Sequence, residues 1–504
     1  MSTNKVSEKA IKEIINLSKD AKTKEEALKI KRKIMKKHKI SIIMKDSDLY
    51  LKSKLSVFKR KPSRKLSGVS VIAVMTSPAK CPHGKCVFCP GGVEHSTPQS
   101  YTGLEPAALR AISNNYNPYL QIKNRISQYL AIGQIPSKVE LIVMGGTFTN
   151  RLWKYQKNFI KECFRALNDS KDGSLKQMQK INETAKYRCI GITIETRPDQ
   201  ISNKSIEKML ELGATRVELG VQSIHDNVLK ASKRGHNSKD IIRATRLLKN
   251  AGFKINYHLM TNMPLSTPKK DYESFKKIFS NEDFKPDMIK IYPTLLIKET
   301  KLYEMFEKKQ WKPYSKEKTI ELIARMKRII PEYVRVMRIQ RDIPSQKIEQ
   351  DLKNSNLRQI VKEFMKEKSW SCKCIRCREA GRNKGNINNL RYKTLKYVAS
   401  GSEEYFIQAI DSNNFLFGFI RARIEGKKLF IRELHVYGEQ AIIGNEGSVQ
   451  HKGIGKELLR RAEEIAKKNS VKEVLVISGV GVRKYYEKQG YFLKNFYMAK
   501  RISA

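Results

Sequence analysis

From about residue 66 to 345 the chain repeats one pattern. A short apolar run rich in β-branched residues is followed by a longer stretch whose apolar positions recur every three or four residues. The runs at 69–75, 139–144, 189–195, 216–219, 254–259 and 288–292 predict strands. The stretches at 118–129, 202–212, 238–250 and 316–328 predict helices between them. Six strands alternating with helices predict a parallel sheet, and right-handed crossovers curl it into part of a barrel. Chemistry in such α/β folds gathers at the C-terminal strand ends.

The flanking segments differ. Residues 1–65 read as a few basic helices, with Ile11, Ile14, Ile15, Leu28, Ile30 and Ile34 at loosely helical spacing and an exposed run around Pro62. Residues 346–398 read as a basic connector. Residues 399–504 read as a separate small α/β unit: strands at 405–410, 415–424 and 428–437, a helix over 455–468, a strand at 473–478, then a short helix and a last strand.

Composition adds a partner. The chain has 504 residues with 40% hydrophobic, which excludes a disordered protein, and 100 Lys and Arg against 50 Asp and Glu give a net charge of +50. Residues 1–65 alone hold 21 basic and 7 acidic residues. Such an excess suits a polyanion, because cations that meet phosphates release counterions. No apolar run approaches a membrane span, and the polar start lacks a signal core, so the expectation is a cytoplasmic protein that does not enter membranes.

Eight cysteines are too few for a disulfide scaffold, but six of them cluster. Cys81, Cys86 and Cys89 lie in CPHGKCVFCPGG, after the first expected strand. Three thiolates in one loop would leave one iron of a [4Fe-4S] cluster without a protein ligand, and the amino and carboxylate groups of S-adenosylmethionine suit that iron. A zinc site is the alternative, although zinc usually takes four protein ligands. Gly145 and Gly146 end the second strand and would let backbone approach a ligand, Glu195 ends the third, where a carboxylate can hold ribose hydroxyls, and Gln222 follows the fourth. All fall on one rim. The second group is Cys372, Cys374 and Cys377, which suits zinc with a fourth ligand from elsewhere.

In the last unit, QHKGIG (residues 450–455, with Gly453 and Gly455) passes into a helix, where N–H groups can cradle a pyrophosphate. Preceded by Glu433, Leu434, His435 and Val436, and followed by GVGVRKYY with Tyr485 and Tyr486, it resembles the acetyltransferase superfamily that binds acetyl-coenzyme A. The two tyrosines would lie near the sulfur. Being adjacent on a helix, they cannot both face the core.

The segments CPHGKCVFCPGG, STPQSYTGLEP, MGGTF, ETRPD, ELGVQS, KIYPT, CKCIRCRE, RELHVYG, QHKGIG and ISGVGVRKYY together resemble the catalytic-subunit family of Elongator, over nearly the whole chain. The resemblance implies an α/β protein with a partial (β/α)6 radical-SAM barrel, a C-terminal GNAT-like acetyltransferase domain and a basic helical N-terminal segment. It implies formation of 5-carboxymethyluridine at the wobble uridine of tRNA from acetyl-CoA, with an electron donor supplied from outside and the anticodon stem-loop as partner. Cys81, Cys86 and Cys89 are then cluster ligands, and Cys372, Cys374 and Cys377 a structural metal site. Lys138, Glu433, Leu434, His435, Val436, Ile454, Gly455, Lys456 and Tyr486 are then acetyl-CoA contacts. Because Lys138 precedes a barrel strand, its reaching the coenzyme requires the two units to share an interface. The four residues between Cys81 and Cys86 fit an archaeal or bacterial type and speak against stable Elongator accessory subunits. A homodimer is compatible with the sequence. The competing function is a protein lysine N-acetyltransferase with Glu433 as its general base.

Overall fold

A computed structural model describes residues 8–40, 44–58, 68–383, 385–438 and 453–502. Residues 59–65, Lys384 and the Gln450, His451 and Lys452 of the glycine motif lie outside the described residues.

Helices Glu8–Leu17, Lys24–Lys37 and Asp46–Ser53 form the N-terminal segment. They close around a small core of Ala10, Ile14, Ala27, Ile34 and Leu49, which turns most of their lysines outward. Lys31 is the exception: it is buried and bonded to Asp46 at 2.6 Å.

The central sheet has seven strands in sequential order: β1 Ser70–Met75, β2 Lys138–Met144, β3 Arg188–Thr196, β4 Ala214–Gln222, β5 Lys254–Thr261, β6 Met288–Pro293 and β7 Arg335–Ile339. All neighbours are parallel, and the curled sheet is a half-barrel. Six strands were expected; the seventh, β7, extends the barrel. Its arginines interrupt the apolar run, but Arg335 is half-buried and bonded to Glu379 at 2.8 Å and Tyr437 at 2.6 Å.

Alternation sorts the strand residues. Val139, Leu141 and Val143, Ile192 and Ile194, Val217 and Leu219, and Ile255 and Tyr257 pack outward in one core beneath the helices. The intervening positions face the lumen, and many of them are polar: Glu140, Thr193, Arg216, Glu218, Asn256, His258 and Lys290. Helices start where the sequence offers caps. Asn117 accepts from the Leu120 N–H with Pro118 in the first turn, and Thr267 accepts from Lys270 ahead of Pro268.

The C-terminal sheet has order β13-β14-β12-β11-β10-β9-β8. Its strands are β8 Arg391–Ala399, β9 Ser402–Ile410, β10 Leu416–Glu425, β11 Lys428–Val436, β12 Glu473–Val476, β13 Phe492–Lys494 and β14 Tyr497–Arg501. The first strand falls in the stretch read above as connector. Arg391, Lys393 and Lys396 interrupt β8, and its apolar positions only make sense once it pairs with β9. β11 and β12 run parallel from Lys428 to Ile431; beyond that β11 pairs with β10 alone, so the two strands part.

This sheet docks on the N-terminal ends of the barrel strands, opposite the cysteine rim. Arg421, Arg423, Arg432, Lys249, Asp287 and Glu404 are all 0–1% exposed there. Arg432 reaches Asp287 at 2.5 Å, Glu404 at 3.0 Å and the Phe253 carbonyl at 3.0 Å. Arg423 donates to Asn250 at 2.6 Å, and Lys249 to Glu404 at 3.2 Å. At the start of β3, the loop carrying Gly479 and Gly481 lies directly on the barrel backbone. A Cβ on Gly479 would collide with the Ile190 carbonyl, and one on Gly481 with Arg188. These glycines serve the close approach of two chain segments.

Candidate active sites at the two ends of the half-barrel

The cysteine loop follows β1 and bends over the C-terminal ends of the strands. Cys81, Cys86 and Cys89 line a cavity of about 1140 Å³, counting its open mouth, together with Gly146, Glu195 and Gln222. Each sulfur meets a donor. Arg234 donates to Cys86 at 3.2 Å, the Ser100 N–H to Cys89 at 3.1 Å, and Thr147 lies 3.5 Å from Cys81. Burial pushes the thiols of Cys81 and Cys89 up.

Gly145 and Gly146 both adopt left-handed backbone, with φ of 119° and 93°. A Cβ on Gly145 would strike Thr76, and one on Gly146 would come within 3.8 Å of the Cys81 sulfur. The clash at Gly145 and the positive φ at both positions call for glycine in this turn. Gln222, also at positive φ, has a buried Oε1 with no partner. Glu195 accepts from the Tyr101 hydroxyl at 3.1 Å and faces the Lys290 ammonium at 3.6 Å.

The floor of this cavity holds groups the sequence analysis did not single out. Glu218 accepts from His258 at 2.7 Å and from Lys290. Burial alone would raise the Glu218 carboxyl, but Lys290, His258 and Arg216 outweigh it and hold it well below the usual carboxylate range. Glu218 thus remains an anion and Lys290 a cation. The signal was present: ELGVQS and KIYPT carry a charge at an alternate position of an otherwise apolar strand.

Cys81, Cys86 and Cys89 do not draw their sulfurs into one tight group, whereas those of Cys372, Cys374 and Cys377 lie within 4.8 Å of one another. One ion gathers its ligands into a single coordination sphere. A cluster with iron at its corners holds its cysteines further apart. The first donor set therefore fits a cluster and the second a single ion. Among the described residues no His, Asp, Glu or fourth Cys joins the second group. Lys327 lies 3.6 Å from Cys377, and the Ile375 N–H ties the loop to the Val334 carbonyl beside β7.

At the other end, the parting of β11 from β12 opens the sheet beside Glu433, Leu434, His435 and Val436. The helix Ile454–Lys468 starts next to it, carrying Gly455 and Lys456 in its first turn. Gly453 before it has φ of 81°, and no described residue lies where its side chain would stand. The N-terminus of a long helix suits a pyrophosphate. The Tyr485 hydroxyl is buried without a partner and would lie 3.1 Å from a Cβ on Gly455. Tyr486 instead packs in the core against Tyr491. Of the two tyrosines, Tyr485 is the one that meets the glycine motif.

Lys138, at the start of β2, pairs in register with Arg188, the residue on which the Gly481 backbone rests. It therefore lies at the junction with the C-terminal sheet, and burial lowers its ammonium to about 8. Glu433 is bonded to Arg421 at 2.8 Å. Burial would raise its carboxyl, but Arg421, Lys254 and His435 together hold it below the ordinary range. The ion pair is thus present above about pH 4 and lost only as pH falls through the lowered value.

Fold and sites together define a class: a radical-SAM half-barrel carrying a GNAT-type acetyltransferase sheet on its floor. Residues 75–278 match the radical SAM superfamily, 286–367 the radical SAM C-terminal domain and 372–491 the acetyltransferase (GNAT) family. The chain belongs to the enzyme family of the tRNA uridine(34) acetyltransferases and Elongator complex protein 3. It is 49% identical to the tRNA uridine(34) acetyltransferase of Methanocaldococcus infernus over 89% of this chain and 88% of that one. It is 38% identical to human Elongator complex protein 3 over 92% and 89%. The solved structure of archaeal Methanocaldococcus infernus Elp3 with an N-terminal deletion (1-46) matches with a TM-score of 0.77 at 44% identity, covering 86% of this chain and all of that one. No described helix is long and apolar enough to cross a membrane.

Proposed function

We propose that this enzyme modifies the wobble uridine of tRNA, joining the two carbons of acetyl-CoA to C5 of the base to give 5-carboxymethyluridine, in the cytoplasm. The observation that carries the reading is the placement of a three-cysteine rim and an acetyltransferase sheet at opposite ends of the same strands. Uracil C5 is not reactive toward a plain thioester, so a carbon–carbon bond there calls for a radical. Cys81, Cys86 and Cys89 would hold a [4Fe-4S] cluster which, with S-adenosylmethionine bound and one electron from an external donor, supplies a 5′-deoxyadenosyl radical able to take hydrogen from the acetyl methyl.

The remaining roles belong to the chain. Gly145 and Gly146 clear space for the methionyl end, and Glu195 offers its carboxylate to ribose hydroxyls. Gln222 presents an unpaired amide oxygen to the cavity. Glu218 and Lys290 keep a fixed charge pair on the cavity floor. At the other end the parted strands and the start of the Ile454–Lys468 helix would hold acetyl-CoA, with Lys138 contributing from the barrel and Tyr485 near the sulfur. The basic helices of residues 1–65 would grip stem phosphates, leaving the single-stranded anticodon loop free to present its base.

The test is to incubate unmodified tRNA with reduced, cluster-loaded protein, S-adenosylmethionine and acetyl-CoA, and to weigh the digested nucleosides. The same protein should lose tRNA affinity steeply between low and moderate salt; a flat response would remove RNA from the account. Zinc analysis should find one equivalent, lost together with order around β7 when Cys374 is replaced by serine. Against the competing function, Glu433 is an ion-paired anion held below the range in which a general base works at neutral pH.

A further inference from the structure

Beside Cys86 lies a buried charge to which the proposed function gives no role. Arg234 follows the helix Asp226–Ala231 and is 7% exposed. Its Nη2 donates to the Gly220 carbonyl at 2.6 Å, which aims Nη1 at the Cys86 sulfur, 3.2 Å away. His83 Nε2 stands 3.1 Å from the same sulfur. The segment around Arg234 is built against the cysteine loop. The Val87 N–H donates to the Ser232 carbonyl at 3.3 Å, and a Cβ on Gly235, at φ of 63°, would meet His83 at 2.7 Å.

A second guanidinium shares this corner. Arg197 is 4% exposed and lines the cavity together with Arg234 and His83. A Cβ on Gly235 would stand 3.3 Å from its Nη2. Among the described residues one carboxylate pairs with either cation: Asp199, 2.9 Å from Arg197 Nη2. His83 and His236 add no charge at neutral pH, because burial, helped by the two guanidiniums, lowers them to about 4 and about 3. Two buried cations thus face one anion. An unpaired buried charge is costly, so a further anion belongs beside Arg234. Cys86 supplies it once its sulfur is a thiolate ligand. Cys81 and Cys89 have neutral donors instead, the Thr147 hydroxyl and the Ser100 N–H.

We propose that Arg234 sets how readily the cluster on Cys81, Cys86 and Cys89 takes up its electron, its charge and its bond to the Cys86 sulfur favouring the reduced form. The inference rests on the cluster assigned to this rim under the proposed function. Three thiolates around a [4Fe-4S]2+ core carry a net charge of about −1, and one electron from the external donor takes it to about −2. A fixed cation nearby stabilises the second state more than the first, and hydrogen bonds to the ligand sulfurs act in the same direction. Arg234 is therefore a positioning residue that works through Cys86. Asp199, which offsets Arg197, works in the opposite sense.

The midpoint potential tests this without turnover. Full-length protein, loaded with iron and sulfide in the absence of oxygen, is titrated with dithionite without S-adenosylmethionine or tRNA, and the reduced cluster is followed by its paramagnetic signal. At a fixed potential near the wild-type midpoint, Arg234→Gln should lower the ratio of reduced to oxidised cluster about tenfold, and Asp199→Asn should raise it about threefold or more. Arg234→Lys, which keeps the charge, should fall between Arg234→Gln and wild type. A residue that only held the loop in place would not give shifts of opposite sign at Arg234 and Asp199. A wild-type midpoint in both Arg234→Gln and Asp199→Asn, or shifts of the same sign, overturns the proposal. Where Arg234→Gln holds too little iron to titrate, Asp199→Asn decides alone: a midpoint equal to that of wild type, or below it, overturns the proposal. Wild type that binds no iron refutes the cluster and the proposed function with it, whereas a normal cluster insensitive to both charges refutes this inference alone.

Discussion

Cys86→Ala is expected to leave the protein folded and to drive modified uridine below detection. Cys86 is 6% exposed, packed with Val87 and Phe88 and bonded by Arg234 at 3.2 Å. A buried thiol behaves as a small hydrophobe, so a methyl in its place costs little packing. Two remaining sulfurs cannot anchor a cluster that already lacks one protein ligand. Iron content and the reduced-cluster paramagnetic signal should fall to background. Coenzyme A affinity should persist, because the site proposed for it lies at the far end of the strands. A variant that still forms the carboxymethyl base would exclude the rim as the source of the radical.

Asp287→Ala should loosen the acetyltransferase sheet from the barrel. The Asp287 side chain accepts two bonds from Arg432 and one from the Ile255 N–H at 2.9 Å, with Arg421 at 3.8 Å and Lys249 at 3.9 Å. Removing it leaves the buried Lys249 and Arg432 sharing Glu404, while Arg421 keeps Glu433. Breaking a buried pair from one side costs about 3–5 kcal/mol. Thermal melting should show a lower or a split transition, and limited proteolysis should cut between the units. Asp287→Asn, which keeps the shape, should fall between the variant and wild type. Burial would raise the Asp287 carboxyl, but Arg432, Lys249 and Arg421 hold it below its ordinary value. Docking is therefore fully present above about pH 4 and is lost as pH falls through the lowered value. Undocking already near pH 6 would contradict the assignment.

What could be read from the sequence was what local spacing encodes. The Cys81–Cys89 and Cys372–Cys377 groups, the glycine turns and six of the barrel strands each declare themselves within a dozen residues. The lumen does not. Arg216 meets Glu140 from 76 residues away, and Glu218 meets Lys290 from 72. In sequence each looks like a charge on a solvated strand face. The same holds for Arg421, Arg423 and Arg432: their alternation reads as one polar face of a sheet, and only docking makes that face an interior. β7 and β8 escaped for the same reason, since their charged positions find partners on other elements. Tyr485 and Tyr486 were separable only in part. Helical geometry requires them to diverge, but which one meets the glycine turn depends on how the helix lies.

The glycine loop at Gly479 and Gly481 rests on the first residues of β3, whose last residues carry Glu195. One strand therefore works as a ruler between two chemistries, graduated at about 3.3 Å per residue. An inserted residue would turn every inward side chain outward, and two would push the ends apart by about 7 Å. Relatives should accordingly vary freely in the loops and helices outside the barrel while keeping the lengths of β3 and β4 fixed. An insertion inside either strand would mark a homologue that has uncoupled its two halves.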